Sequence, residues 1–102
     1  MASRDNAAPL ETWRVRVTGR VQGVGYRQAC IEQARRQGIT GWVRNRMDDS
    51  VELLLQGPPA QLTAMRRWLR DGVPAAWVDK VEVTALPAPF PRFDHFERLP
   101  TL

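Results

Sequence analysis

The sequence predicts an α+β fold in which a mostly antiparallel sheet carries two helices on one face. Three observations lead there. Separate stretches alternate apolar and polar residues, the period-two signature of strands with one buried face. Two stretches between them repeat apolar residues every three to four positions, as amphipathic helices do. The order along the chain is strand, helix, strand, strand, helix, strand, with a small fifth strand appended.

Trp13-Arg14-Val15-Arg16-Val17-Thr18 alternates and ends at Gly19. From Tyr26 the pattern turns helical. Tyr26, Cys30 and Ala34 fall at i, i+4 and i+8 with Ala29 beside them, Arg35-Arg36 suit the C-terminal end of the dipole, and Gly38 suits the C′ position. Ile39 to Asn45 is β-branched and aromatic. A polar turn over Arg46–Ser50 joins it to Val51–Gly57, whose Val51, Leu53 and Leu55 share a face, so the two form a hairpin. Pro58-Pro59 opens a second helix with Leu62, Met65, Trp68 and Leu69 as its stripe, and Gly72 to Pro74 ends it. Val78 to Ala85 alternates through Val81 and Val83. Pro87 to Pro91 is too rich in proline for a sheet interior, and Phe93 to Leu99 reads as a short edge strand. Two helices on one face in this order make a ferredoxin-like βαββαβ sandwich, the split βαβ arrangement.

With 102 residues, 43% of them hydrophobic, the chain has the size and composition of one domain with a real core. Residues 1–10 are polar and lack an apolar h-region, so they are expected to form a flexible tail ahead of a single domain over 11–102, and not a secretory signal. No apolar run is long enough to span a bilayer. One cysteine, Cys30, excludes an internal disulfide and a cysteine-cluster metal site, and its helical spacing marks it as core. A cytoplasmic protein is the expectation. The formal charge is +4, and Lys80 is the only lysine. The arginines are scattered singly and in pairs, which describes a solvated face better than a nucleic-acid track. The four tryptophans, Trp13, Trp42, Trp68 and Trp77, are read as packing residues.

Chemistry concentrates at Gly19-Arg20-Val21-Gln22-Gly23-Val24-Gly25-Tyr26-Arg27. Gly23 and Gly25 allow positive φ where a strand turns into a helix. Arg27 falls in the first helical turn, where the dipole is already positive, and no Asp or Glu lies between Gly19 and Ile31. Free amides, a dipole end and an uncompensated guanidinium describe an anion site. In the split βαβ unit the first two strands run in the same direction, so Asn45 at the end of the second returns to the edge that carries Arg27. Taken singly, the glycines could serve only a tight turn, Arg27 only the surface and Asn45 only a strand end.

Gly-Arg-Val-Gln-Gly-Val-Gly-Tyr-Arg at 19–27 and Gly-Trp-Val-Arg-Asn at 41–45 resemble the two signature motifs of the acylphosphatase family. The likeness runs from about Trp13 to Leu99 and includes Gln56-Gly57-Pro58, Met65…Trp68-Leu69 and Phe93-x-x-Phe96. The resemblance implies hydrolysis of the carboxyl–phosphate bond of small acyl phosphates to carboxylate and inorganic phosphate, without metal or cofactor. It implies that Arg27, with the amides of Gln22, Gly23, Val24, Gly25 and Tyr26, binds the phosphoryl group, and that Asn45 positions the attacking water. A monomer with no nucleic-acid or membrane partner is expected. The alternative is a non-enzymatic phosphate- or RNA-binding module on the same fold, although strand Val51–Gln56 lacks the aromatic residues that stack bases. Three positions depart from the family pattern: Asp49 where the hairpin usually has glycine, Tyr26 for the commoner phenylalanine, and Arg98 where an apolar residue is usual. His95 is expected to be exposed or structural.

Overall fold

The alternating N-terminal stretch forms β1 (Glu11–Arg20), and the helical pattern from Tyr26 forms α1 (Tyr26–Arg36). There follow β2 (Thr40–Asn45), β3 (Val51–Gly57), α2 (Pro59–Asp71), β4 (Trp77–Ala85) and β5 (Phe96–Arg98). The computed structural model describes residues 9–102, so most of the expected tail lies outside the described residues. The strands make one sheet in the order β4-β1-β3-β2-β5, antiparallel throughout except for β2 with β5. Because β3 lies between β1 and β2 and is antiparallel to both, β1 and β2 run the same way. The α+β, ferredoxin-like expectation holds.

The helices share one face of the sheet. Val15 and Val17 of β1, Val43 of β2, and Val51, Leu53 and Leu55 of β3 meet Tyr26, Cys30, Ile31 and Ala34 of α1 and Leu62, Met65 and Leu69 of α2 in one buried cluster. Of the expected stripes, Tyr26, Cys30, Ala34, Leu62, Met65 and Leu69 are buried while Ala29 and Trp68 are only half-buried, and Ile31 is an addition that the i, i+4 reading left out. Burial pushes the Cys30 thiol well above its usual range, so it stays protonated and packs as a small apolar group. On the outer face the arginines pair across strands. Arg16 meets Asp48 at 2.8 Å and Glu82 at 3.3 Å, and Arg44 and Arg46 share Glu52. Arg44 also lies 4.7 Å over the Trp42 ring.

Trp77 does not pack. It is 72% exposed, against the expectation for all four tryptophans. The cause is a bulge between β1 and β4. Thr18 pairs with Lys80 but Gly19 pairs with Val78, so Asp79 is unmatched. One extra residue reverses the faces of everything beyond it, turning Val78 inward and Trp77 outward. Gly19 is required here, because a Cβ would sit 2.1 Å from the Trp77 carbonyl oxygen.

At the other edge β5 is shorter than the expected 93–99 segment, but the tail beyond it stays attached. The amides of Leu99 and Leu102 donate to the carbonyls of Val43 and Asn45 at 2.9 and 3.1 Å. His95 is exposed, and its carbonyl accepts the Gly41 amide at 3.0 Å.

Candidate active site

Residues 21–25 carry the chain from the end of β1 to α1. Gly23 and Gly25 hold φ of 75° and 78°, and a Cβ at either would touch nothing within 4 Å. Glycine therefore serves conformation here and not space. Gly25 is the N-cap of α1 and has no side chain to cap it, and the first turn contains no acidic residue. The leading amides of α1 thus lack an intrahelical acceptor and point, with the positive end of the dipole, out of the helix. Arg27 is half-buried in that first turn and forms no hydrogen bond or ion pair with another described residue. Residues 21–23 and 25–28 line a cavity of about 210 Å³.

Tyr26 anchors this turn. Its ring is buried in the core and its hydroxyl donates to the Leu69 carbonyl at 2.6 Å, one of the carbonyls that the last turn of α2 leaves without a helical partner. Desolvation holds the phenol well above its ordinary pKa, so it remains a neutral donor. The departure from phenylalanine therefore ties α1 to α2. Tyr26→Phe is expected to lower stability by about 1 kcal/mol, the usual net value of one buried hydrogen bond, while leaving kcat in place. Urea denaturation beside a kinetic assay measures both.

Gln22 contributes a side chain as well as an amide. Its Nε2 donates to the carbonyls of Arg46 at 2.9 Å and Ser50 at 2.8 Å, joining the loop to the hairpin turn that directly follows Asn45. The turn is itself braced. Asp48 accepts from the Ser50 amide and hydroxyl and from Arg16, and these bonds hold its carboxyl well below the usual carboxylate range. A depressed carboxyl stabilises the fold at neutral pH, and that contribution is lost only as pH falls through the native pKa. Asp49 keeps φ at 71°, the left-handed conformation that glycine adopts more readily. Asp49→Gly is expected to raise stability by about 0.5–1 kcal/mol, read as an increased urea midpoint with unchanged slope.

Asn45 closes β2 on the helix-covered side and is 9% exposed. Its backbone is paired on both sides, but its side-chain Oδ1 is buried and has no hydrogen-bond partner among the described residues. An unpartnered buried amide oxygen is uncommon and costs stability. The Gln22 bridge ties the loop to the carbonyl of Arg46, the residue that follows Asn45. By contrast, a roomier recess of about 570 Å³, lined by Thr12, Gln56, Ala85 and the proline-rich loop, lies at the opposite end of the sheet.

The family model for acylphosphatase matches residues 13–97. The chain belongs to the acylphosphatase family. It is 63% identical, over the full length of both chains, to Acylphosphatase 1 of Ralstonia nicotianae. It is 60% identical to an acylphosphatase of Polaromonas naphthalenivorans, covering 96% of this chain and 97% of that one. Its fold superposes on the crystal structure of an acylphosphatase from Bacillus subtilis with a TM-score of 0.83 at 33% identity, covering 89% of this chain and 99% of that one. The chain is thus an enzyme of the hydrolase class.

Against this acylphosphatase background, the sequence-predicted residues sort as follows. Gln22, Gly23, Gly25, Tyr26 and Arg27 line one cavity. Val24 turns its side chain onto the core. Asn45 stands outside the lining, linked to it through Gln22. Gln28 and Arg98 also line the cavity and were not among the expected site residues. For Arg98 a signal was present in its departure from the apolar residue usual there. Its partner Gln28 carried none, since the two are distant in sequence.

Proposed function

We propose that the chain, with residues 11–102 as one acylphosphatase-like domain, hydrolyses small acyl phosphates by a mechanism that uses positioning and electrostatics alone. The phosphoryl group lies in the loop, with the amides of residues 22–26 and the Arg27 fork on its peripheral oxygens. Those oxygens carry the charge of the transition state, so donors fixed before reaction act where charge develops. Asn45 cannot act as a base; its amide orients a water in line with the leaving oxygen. The water oxygen forms the new bond to phosphorus, the acyl C–O–P bond breaks at phosphorus, and its electron pair leaves with the carboxylate. The proton of the water passes to the product phosphate or to solvent. A carboxylate leaves readily, so no general acid is needed, and none of the residues assigned here is His, Asp or Glu.

The observation that carries this reading is the buried, unpartnered Oδ1 of Asn45, at the edge of the sheet that carries the uncapped amides of α1. A buried polar atom without a partner calls for an explanation, and an acceptor waiting for the attacking water supplies one here.

The same reading makes the protein a cytoplasmic monomer acting without metal, cofactor, nucleic acid or membrane. Arg16, Arg44 and Arg46 on the outer face are already paired with Asp48, Glu52 and Glu82, which lowers the basic charge that this face would offer an RNA backbone. Among the described residues no helix is long and apolar enough to cross a membrane. The test is hydrolysis of benzoyl phosphate in excess chelator. Turnover is expected there, with none on ordinary phosphate monoesters. No turnover, or turnover only after metal is restored, overturns the proposal.

A further inference from the structure

The cavity contains a cation that the two sequence motifs do not supply. Arg98 ends β5, opposite Val43 in the parallel pairing with β2. Phe96, two residues earlier, is buried in the core, so Arg98 leaves the sheet on the same, helix-covered side. Val43 and Asn45 occupy that side of β2, which puts Arg98 at the same end of the sheet as Asn45. Its Nη2 donates to Oε1 of Gln28 at 3.3 Å, one residue beyond Arg27, and its side chain closes the cavity that the loop otherwise lines. Among the described residues no carboxylate pairs with Arg98 or Arg27, and none lines the cavity.

Two guanidiniums without a counter-charge in about 210 Å³ call for a ligand with more than one anionic centre. The phosphoryl oxygens are served by the loop amides and the Arg27 fork. Arg98 approaches from β5, is exposed, and donates one bond to Gln28. It meets the part of the substrate that leaves the loop, which is the acyl group. We propose that Arg98 is a specificity-determining residue that binds a carboxylate on the acyl portion, so that the preferred substrate class is the monoacyl phosphate of a dicarboxylic acid. This inference rests on the loop being the phosphoryl site.

The test compares adipyl monophosphate with hexanoyl phosphate, which match in chain length and differ in the distal carboxylate. The wild-type protein is expected to favour adipyl monophosphate in kcat/KM by about fivefold at low salt, the size of one partly exposed ion pair. The preference should shrink as ionic strength rises. Arg98→Leu brings the two substrates to parity through KM, because the carboxylate contact is the same in ground and transition states. Arg98→Lys keeps most of the preference, and the inhibition constant of inorganic phosphate stays the same in all three proteins. Equal use of both substrates by the wild-type protein overturns the inference while leaving the phosphoryl site intact. So does an Arg98→Leu protein that weakens both substrates and inorganic phosphate alike, which makes Arg98 a phosphoryl ligand. Failure of the wild-type protein to hydrolyse either compound overturns the phosphoryl-site reading, and the inference falls with it.

Discussion

Arg27→Ala is expected to abolish measurable competitive inhibition by inorganic phosphate and to lower kcat/KM by at least about 10²–10³-fold, the cost of removing one preorganised donor to a developing oxyanion. The guanidinium offers two parallel donors and a full charge, so its loss falls at or beyond the upper end of that range. The fold should be untouched. The Arg27 side chain has no hydrogen bond or ion pair to another described residue, and alanine is a better helix former than arginine in the first turn of α1. Unchanged urea denaturation together with lost phosphate binding separates a binding role from a structural one. Arg27→Lys restores charge but not the fork, and recovers only part of the activity. An alanine variant that still binds phosphate within twofold of the parent removes Arg27 from the site.

Asn45→Ala is expected to behave in the opposite way. Turnover falls by about 10²-fold or more, because the water loses its orientation, while the phosphate inhibition constant stays within about twofold. Stability should stay level or rise. The substitution deletes a buried oxygen that has no partner among the described residues, relieving a desolvation cost of about 1–3 kcal/mol, partly offset by the space the amide vacates. The backbone pairs to Val51 and Leu102 do not involve the side chain and remain. A variant that is more stable and nearly inactive is the signature of a residue kept for function at the expense of stability. Equal loss of phosphate affinity in the Asn45 and Arg27 variants would falsify the division of labour between phosphoryl binding and water positioning.

Much of the fold was legible because its causes are local. Val15 and Val17 point inward because strand alternation puts them there, and Leu62, Met65 and Leu69 form one stripe because helical periodicity does. Proline at the start of α2 and Gly38 after α1 mark ends by their own dihedral limits. Asp49 stands where the resemblance to the family puts a hairpin glycine, and it keeps a left-handed φ of 71°. Trp77 was not legible. Its side was decided by the unmatched Asp79, a consequence of how β4 registers against β1 and not of anything in residues 77–85.

The chain alone therefore determined the order and type of its elements, the two motifs that mark its family, and the positions of Gly23, Gly25, Arg27 and Asn45 along it. Tertiary structure alone decided what those positions meet. The Gln22 side chain bridges to Arg46 and Ser50, the Tyr26 hydroxyl caps a carbonyl of α2, the Asn45 Oδ1 is buried without a partner among the described residues, and Arg98 faces the cavity beside Gln28. Each of these joins residues from different elements, distant in sequence, and depends on strand register and on the packing of helices over the sheet. Periodicity assigns a side chain to a face. Only the assembled layers decide which atom stands across from it.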